Sequence, residues 1–168
     1  MTAAQIGRFT IRDVNIWDAI HLLKLFGDDE TVRYMGLPKL QDTHDATRLI
    51  MNYQSSPTKW LAVCDGAEFL GVVGLETKGH QATVTIAFKR TRKARGAGRE
   101  FSKPFVQWIF THPQIWRVWA YCHVDNTPAQ RVLERMGAER EGCLRRFEVF
   151  PNISETPQDV FVYAIVRD

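Results

Sequence analysis

Two hydrophobic periods alternate along the chain, and each change of period marks a new element. Phe9 to Arg12 reads as an edge strand. Asn15 stands where it can cap a helix whose Ile16, Ala19, Ile20 and Leu23 follow the i, i+3, i+4, i+7 spacing, with Gly27 ending it. Thr43 occupies the same capping position ahead of Ala46, Leu49, Ile50 and Tyr53, and Asp28 to Tyr34 between them is a candidate short helix. The period then drops to two. Trp60 to Cys64 and Phe69 to Leu75 are short apolar runs joined across Asp65-Gly66, a dipeptide suited to a tight hairpin. From Ala82 to Phe88, Val84, Ile86 and Phe88 alternate with Thr83, Thr85 and Ala87 as a third strand of this group.

That strand runs into a glycine-bearing loop. Beyond it Phe101, Phe105, Trp108 and Ile109 predict a helix, and Pro104 either kinks that helix or places its start near Ser102. Arg117 to Val124 reads as a strand. Asn126 or Thr127 then caps a helix with Pro128 in its first turn, Gly137 just past its end, and a stripe of Ala129, Val132, Leu133 and Met136. Two closing strands, about Leu144 to Phe150 and Asp159 to Val166, flank a Pro-Asn-rich loop. This order of elements implies an α/β (α+β) fold, a mixed sheet with helices on both faces. No repeat or linker interrupts it, and 168 residues that are 45% hydrophobic and 24% charged suit one compact domain spanning 1–168.

Composition narrows the classes. The longest unbroken apolar stretch, Val160 to Val166, is far shorter than the ~18 residues of a membrane span. Met1 to Gln5 shows no basic segment followed by an apolar run, so a cytoplasmic location is expected. Cys64, Cys122 and Cys143 have scattered spacings with no Cys-x-x-Cys pair, which argues against a metal and for three buried thiols.

A net charge of +3 says little, but its distribution says more. Lys89, Arg90, Arg92, Lys93, Arg95 and Arg99 crowd one stretch that also holds Gly96 and Gly98. Between a strand and a helix, Lys93-Ala94-Arg95-Gly96-Ala97-Gly98 can present free backbone N–H groups and a helix N-terminus to an anion. No Gly-x-x-x-x-Gly-Lys-Ser/Thr spacing is present, which excludes the usual nucleotide-hydrolase loop. Position 101, where a dinucleotide fingerprint needs its third glycine, is Phe101. Taken alone, the loop reads first as a basic solvated turn with glycines for its geometry.

Its neighbours supply more. Lys93 to Gly98 resembles the Arg/Gln-x-x-Gly-x-Gly/Ala signature of the GNAT acetyltransferases, with Lys93 in the first place. Asn126-Thr127-Pro128-Ala129-Gln130-Arg131-Val132-Leu133-Glu134-Arg135-Met136-Gly137 and Glu139 to Arg146 are similar to the corresponding stretches of the RimJ/RimL-like branch. With the Phe9 to Arg12 strand and the Asp65-Gly66 hairpin, the resemblance covers nearly the whole chain. It implies a mostly antiparallel seven-stranded sheet splayed between its fourth and fifth strands. It also implies acetyl-CoA as cosubstrate, with its diphosphate on Lys93, Ala94, Arg95, Gly96, Ala97 and Gly98. The pantetheine arm would pair with the backbone of Ile86, Ala87 and Phe88, with Asn126 and Arg131 as further contacts. A backbone N–H aimed at the thioester carbonyl would stabilise developing negative charge there. The expected reaction is direct attack by an amine, without a covalent acyl-enzyme and without a metal.

Three positions depart from the family pattern: Ala129 where the RimL-like branch has Ser, Leu133 where other members have Tyr, and Thr85 where relatives often carry Glu. A site short of an acid and a base favours an α-amine. Deprotonating one at pH 7 costs about 1 kcal/mol, against roughly 4.6 kcal/mol for a lysine. His123 and Glu76 are the candidate bases, with His80 in the turn between strands a third, although a strand histidine and a turn carboxylate serve equally as sheet filler and solvated surface. By the resemblance Arg145, Arg146, Asp159 and Tyr163 border the acceptor pocket. Two other classes compete: a non-catalytic acyl-CoA sensor, motivated by the three departures, and a nucleic-acid-binding module on the Lys89 to Arg99 run with Trp116 or Trp119 stacking. The modest charge and the missing recognition motif weigh against nucleic acid. Exposed Trp and Phe residues would suit a homodimer.

Overall fold

The computed structural model describes residues 3–167; Met1, Thr2 and Asp168, the ends of the expected domain, lie outside the described residues. Its elements are β1 (Ala4–Ile6), β2 (Phe9–Asp13), a 3-10 turn (Ile16–Asp18), α1 (Ala19–Phe26), α2 (Asp29–Val32), α3 (Thr43–Ser55), β3 (Lys59–Asp65), β4 (Glu68–Lys78), β5 (Gln81–Phe88), α4 (Ala97–Ile109), β6 (Arg117–His123), α5 (Thr127–Arg135), β7 (Glu139–Glu148) and β8 (Gln158–Val166). The strands form one sheet in the order β1-β2-β3-β4-β5-β6-β8-β7. Neighbours are antiparallel except β5 and β6. The sheet thus has eight strands rather than seven, because Gly7, at φ +60°, turns Ala4–Ile6 back onto β2. A strand of three residues is too short to carry a readable period.

Alternation along the strands builds two cores. Leu61 and Val63 of β3, Leu70 and Val73 of β4 and Ala82 and Val84 of β5 face α4, meeting Phe101, Phe105 and Ile109. Ala62 and Cys64, Phe69 and Val72, and Ala87 face the other way, toward Leu22, Leu25 and Phe26 of α1 and Ala46 and Ile50 of α3. Among the described residues no helix is long and apolar enough to cross a membrane.

Several expectations need correction. Asn15 does cap, accepting the Trp17 N–H at 3.0 Å while Asp18 accepts the Asn15 N–H at 2.9 Å, but the stripe drawn through Ile16, Ala19, Ile20 and Leu23 is not the buried one. Leu22, Leu25 and Phe26 are buried, whereas Ile16 and Ile20 are 49% and 46% exposed. The 3-10 turn has about three residues per turn, and it rotates the apolar face out of the 3.6 phase. Asp42, not Thr43, caps α3, accepting the Asp45 N–H at 2.9 Å. α4 begins at Ala97 and not near Ser102, with Pro104 inside it. Burial of Phe101, Phe105, Val106 and Ile109 offsets the roughly 3 kcal/mol that an interior proline costs. β7 starts at Glu139 instead of Leu144; it is the sheet's edge, exposed through Phe147, so no alternation betrays it. Cys143 lies on that edge and is exposed, while Cys64 and Cys122 are buried.

Candidate active site

β5 and β6 pair only at Gln81–Arg117, Ala82–Val118 and Thr83–Trp119. Beyond Thr83 they part. The edge of β5 from Val84 to Phe88 is held from behind by β4, where Gly74 opposes Thr85 and Gly71 opposes Phe88. A side chain at Gly71 would stand 2.2 Å from the Ala87 carbonyl oxygen, so glycine there lets β4 press close against the end of β5. β6 is held from the other side by β8 as far as His123–Val160. Two rigid strands therefore face each other across a gap with their hydrogen-bonding edges open.

The basic loop closes one end of the gap. Gly96 sits at φ +79° as the N-cap of α4, a conformation disfavoured by any side chain. Gly98 admits the Phe88 ring, which would lie 3.2 Å from an added Cβ. The N–H groups of Ala94, Arg95 and Ala97 bond within the turn, to Thr91, Arg92 and Ala94. Among the described residues, those of Gly96, Gly98 and Arg99 find no acceptor. Lys93 pairs with Glu68 at 3.2 Å and Arg90 with Glu30 at 2.5 Å, while Arg92, Arg95 and Arg99 are exposed and have no ion pair among the described residues. Open N–H donors at a helix N-terminus beside free guanidinium groups form an anion site.

From that loop the gap runs inward as two adjoining cavities. The outer one, about 400 Å³, lies against Ile86, Ala87, Phe88, Arg90, Asn126 and Pro128. The inner one, about 200 Å³, lies at the fork itself, between Val84, Thr85 and Ile86 of β5, Ala120, Tyr121 and Cys122 of β6, and the apolar stripe of α5. Tyr34, Met35, Ile86 and Asn126 line both. Asn126 caps α5, accepting the Ala129 N–H at 3.2 Å. Burial, with Glu134 adding to it, pushes the Cys122 thiol up to about 11. It is therefore a neutral wall residue and no nucleophile at pH 7.

On the face of α1 to α3 a third cavity, about 550 Å³, opens between Thr58, Trp60, Glu76, Thr83, Trp119 and Tyr121. Thr85 and Tyr121 line both this groove and the inner cavity, so the two adjoin at the fork. Glu76 accepts the Thr58 hydroxyl at 2.9 Å in the groove wall. The Tyr121 hydroxyl donates to Glu148 at 2.8 Å, and an added Cβ on Gly36 would lie 3.3 Å from the same carboxylate. Burial first, and then the bond to Glu148, holds the Tyr121 phenol well above its ordinary range, so it stays protonated.

A family model described as the acetyltransferase (GNAT) domain matches residues 8–139. The chain belongs to the GNAT acetyltransferase family. It is 27% identical over 169 residues to the Bacillus subtilis protein named uncharacterized N-acetyltransferase YoaA, covering 95% of this chain and 94% of that protein. A Salmonella typhimurium acetyltransferase described as modifying the N-terminal serine of ribosomal protein L7/L12 superposes with TM-score 0.82 at 16% identity, over 99% of this chain and all of that one. The Vibrio cholerae spermidine N-acetyltransferase, in complex with coenzyme A and spermine, superposes with TM-score 0.77 at 18% identity, over 95% and 96% of the two chains.

The fork leaves the N–H groups of Gly96, Gly98 and Arg99 open at one end and the strand edge of Ile86 to Phe88 unpaired along its side, donors and acceptors that a phosphate and an extended polar arm could use. Arg131 is exposed on α5. The two expected bases are not brought together. Glu76 stands in the groove, whereas His123 is buried between Tyr34 and Phe150, ring centroids 5.1 Å from each, and lines none of the three cavities. His123 Nδ1 accepts the Asp125 N–H at 3.0 Å, which places the proton on Nε2, and Nε2 has no partner. His80 is exposed in its turn. Tyr163 is buried and donates to Glu134 at 3.2 Å, tying β8 to α5, and the Arg146 N–H bonds Asp159 at 2.9 Å, tying β7 to the start of β8. Sequence reading missed Tyr121 and Glu148. Their one signal was Glu148 near the end of a strand whose start was misplaced.

Proposed function

We propose that this GNAT enzyme transfers an acetyl group from acetyl-CoA to a primary α-amine, such as a peptide N-terminus, delivered through the Trp60–Glu76–Trp119 groove. Coenzyme A supplies the activated thioester. The observation that carries the reading is that groove and inner cavity adjoin at Thr85 and Tyr121; this is the point at which an acceptor nitrogen would meet a thioester carbon.

The residues divide the work. Glu76, with the aromatic walls, attracts and orients the ammonium form of the acceptor. Glu148, bonded to the Tyr121 hydroxyl that borders that point, is the base, acting through a water, ahead of His123, whose Nε2 already carries its proton. The amine lone pair forms the C–N bond, the C–S bond breaks, and the amine proton ends on the leaving sulfur. An unperturbed thiol near ~8.5 leaves readily, so Ala129 and Leu133 in the usual acid positions slow the reaction without stopping it. A neutral Cys122 supports direct attack. A site with a single carboxylate base favours acceptors that deprotonate easily, hence α-amines over lysine side chains. Membership in the RimJ/RimL-like branch is supported by the Asn126 to Gly137 stretch and by the likeness to the enzyme acting on L7/L12.

A thiol-release screen tests this. Peptides with free N-termini should turn over faster than N-acetylated lysine peptides or polyamines. Faster release with lysine or polyamine acceptors overturns the α-amine assignment, and binding of acetyl-CoA with no release on any amine favours the sensor.

A further inference from the structure

α5 is amphipathic, yet none of its residues from Thr127 to Arg135 is buried. Ala129, Val132 and Leu133 are only partly covered, and Met136, just past its end, is 7% exposed. The stripe faces the inner cavity, where Val84 and Ala120 form the opposite wall. At the fork the enzyme thus keeps a largely apolar chamber of about 200 Å³, against the roughly 30 Å³ share of one water in the liquid. A polar side chain at position 129 or a phenol at 133 would have partly filled it; the small Ala129 and the branched Leu133 leave it open.

We infer that the acyl group for which this chamber is shaped is longer than acetyl: a straight chain of three or four carbons, as in propionyl- or butyryl-CoA. The inference rests on the acyl-transfer reading above and deepens it. With the thioester carbonyl at the fork, an acetyl methyl covers little of the α5 stripe, whereas each further methylene lies against Ala129, Val132 and Leu133. The bonds exchanged are unchanged: C–N forms, C–S breaks, and the sulfur takes the amine proton. Each methylene moved from water into apolar surroundings tightens binding about fourfold.

Calorimetry with free coenzyme A and with acetyl-, propionyl- and butyryl-CoA tests this without an identified acceptor. The dissociation constant should fall about fourfold per added methylene from acetyl to butyryl. Ala129→Leu, and separately Leu133→Phe, should flatten or invert the series. A wild-type series that is flat or weakens with chain length overturns the inference while leaving the enzyme an acetyltransferase. A rising preference that survives in both variants also overturns it, since the chain would then lie elsewhere. Failure of every coenzyme A species to bind would overturn the acyl-transfer reading itself, a result distinct from a flat series.

Discussion

Tyr121, which lines both the inner chamber and the Trp60–Glu76–Trp119 groove, donates its hydroxyl to Glu148 across 2.8 Å, joining β6 to the end of β7. In the proposed reaction the bond steadies the carboxylate as base, and burial and the bond together keep the phenol protonated. Glu148→Gln should lower kcat by about 10²- to 10⁴-fold, the usual worth of a positioned general base. Tyr121→Phe, which frees the carboxylate without removing it, should cost less. His123→Asn serves as the control. If it lowers kcat more than Glu148→Gln at unchanged melting temperature, the assignment of the base to Glu148 is wrong.

The proposed phosphate end of the cleft depends on one left-handed residue, Gly96. Replacing Gly96, at φ +79°, by Ala meets no steric obstacle within 4 Å, so its cost is purely conformational, about 1–2 kcal/mol. Relaxation of that turn would redirect the free N–H groups of Gly96, Gly98 and Arg99. Coenzyme A affinity should fall about tenfold, the order of one charge-assisted hydrogen bond. Titration calorimetry reads this directly, and an unchanged affinity would remove the diphosphate from this turn.

The two cysteines on β6 and β7 should differ sharply in reactivity. Cys122 is buried with its thiol pushed up to about 11, whereas Cys143 is exposed on the sheet edge. Only about one Cys122 in ten thousand is a thiolate at pH 7. Iodoacetamide should therefore label Cys143 first. Mass spectrometry after incubation with acetyl-CoA should find no acyl adduct on Cys122; an adduct that an amine then discharges would replace direct attack by a two-step path.

The parts of the site legible in the sequence are those fixed by backbone chemistry. Gly96 and Gly98 announce a loop that needs a left-handed turn and a close ring contact, and the Val84, Ile86, Phe88 alternation announces the strand that feeds it. Asn126, Pro128 and Gly137 bracket α5 for the same reason, as cap, first turn and positive-φ terminator. What was not legible depends on side chains meeting across the sheet. Glu148 is separated by 27 positions from Tyr121, and no local period links a residue on an edge strand to one at the fork. His123 shows the converse. Its strand position suggested the cleft, yet the Asp125 N–H and the rings of Tyr34 and Phe150 hold it in the wall behind. Similarly, the misphased stripe of α1 followed from a single 3-10 turn that hydrophobic spacing cannot reveal.

The Arg12–Asp18 pair sets how acid the enzyme can become before α1 detaches from the sheet. Asp18 is 2% exposed and accepts both arms of the Arg12 guanidinium, at 2.7 and 2.8 Å. Burial alone would raise its carboxyl; the Arg12 bonds and the Asn15 N–H outweigh burial and hold it below the ordinary value. A depressed folded pKa means that the unfolded chain binds the proton first. The stabilisation is therefore complete above about pH 4 and is lost as pH falls through the folded value. Arg12→Met leaves a buried carboxylate without its cation, at a cost of about 3 kcal/mol near pH 7. It also weakens the downward shift, because the Asn15 N–H is then the main bond left against burial. Melting temperatures between pH 3 and pH 7 should show the wild type flat until about pH 4 and then falling. The variant should be less stable at neutrality and gain relative to the wild type as the pH drops. Parallel profiles for the two proteins would mean that this ion pair does not couple α1 to β2.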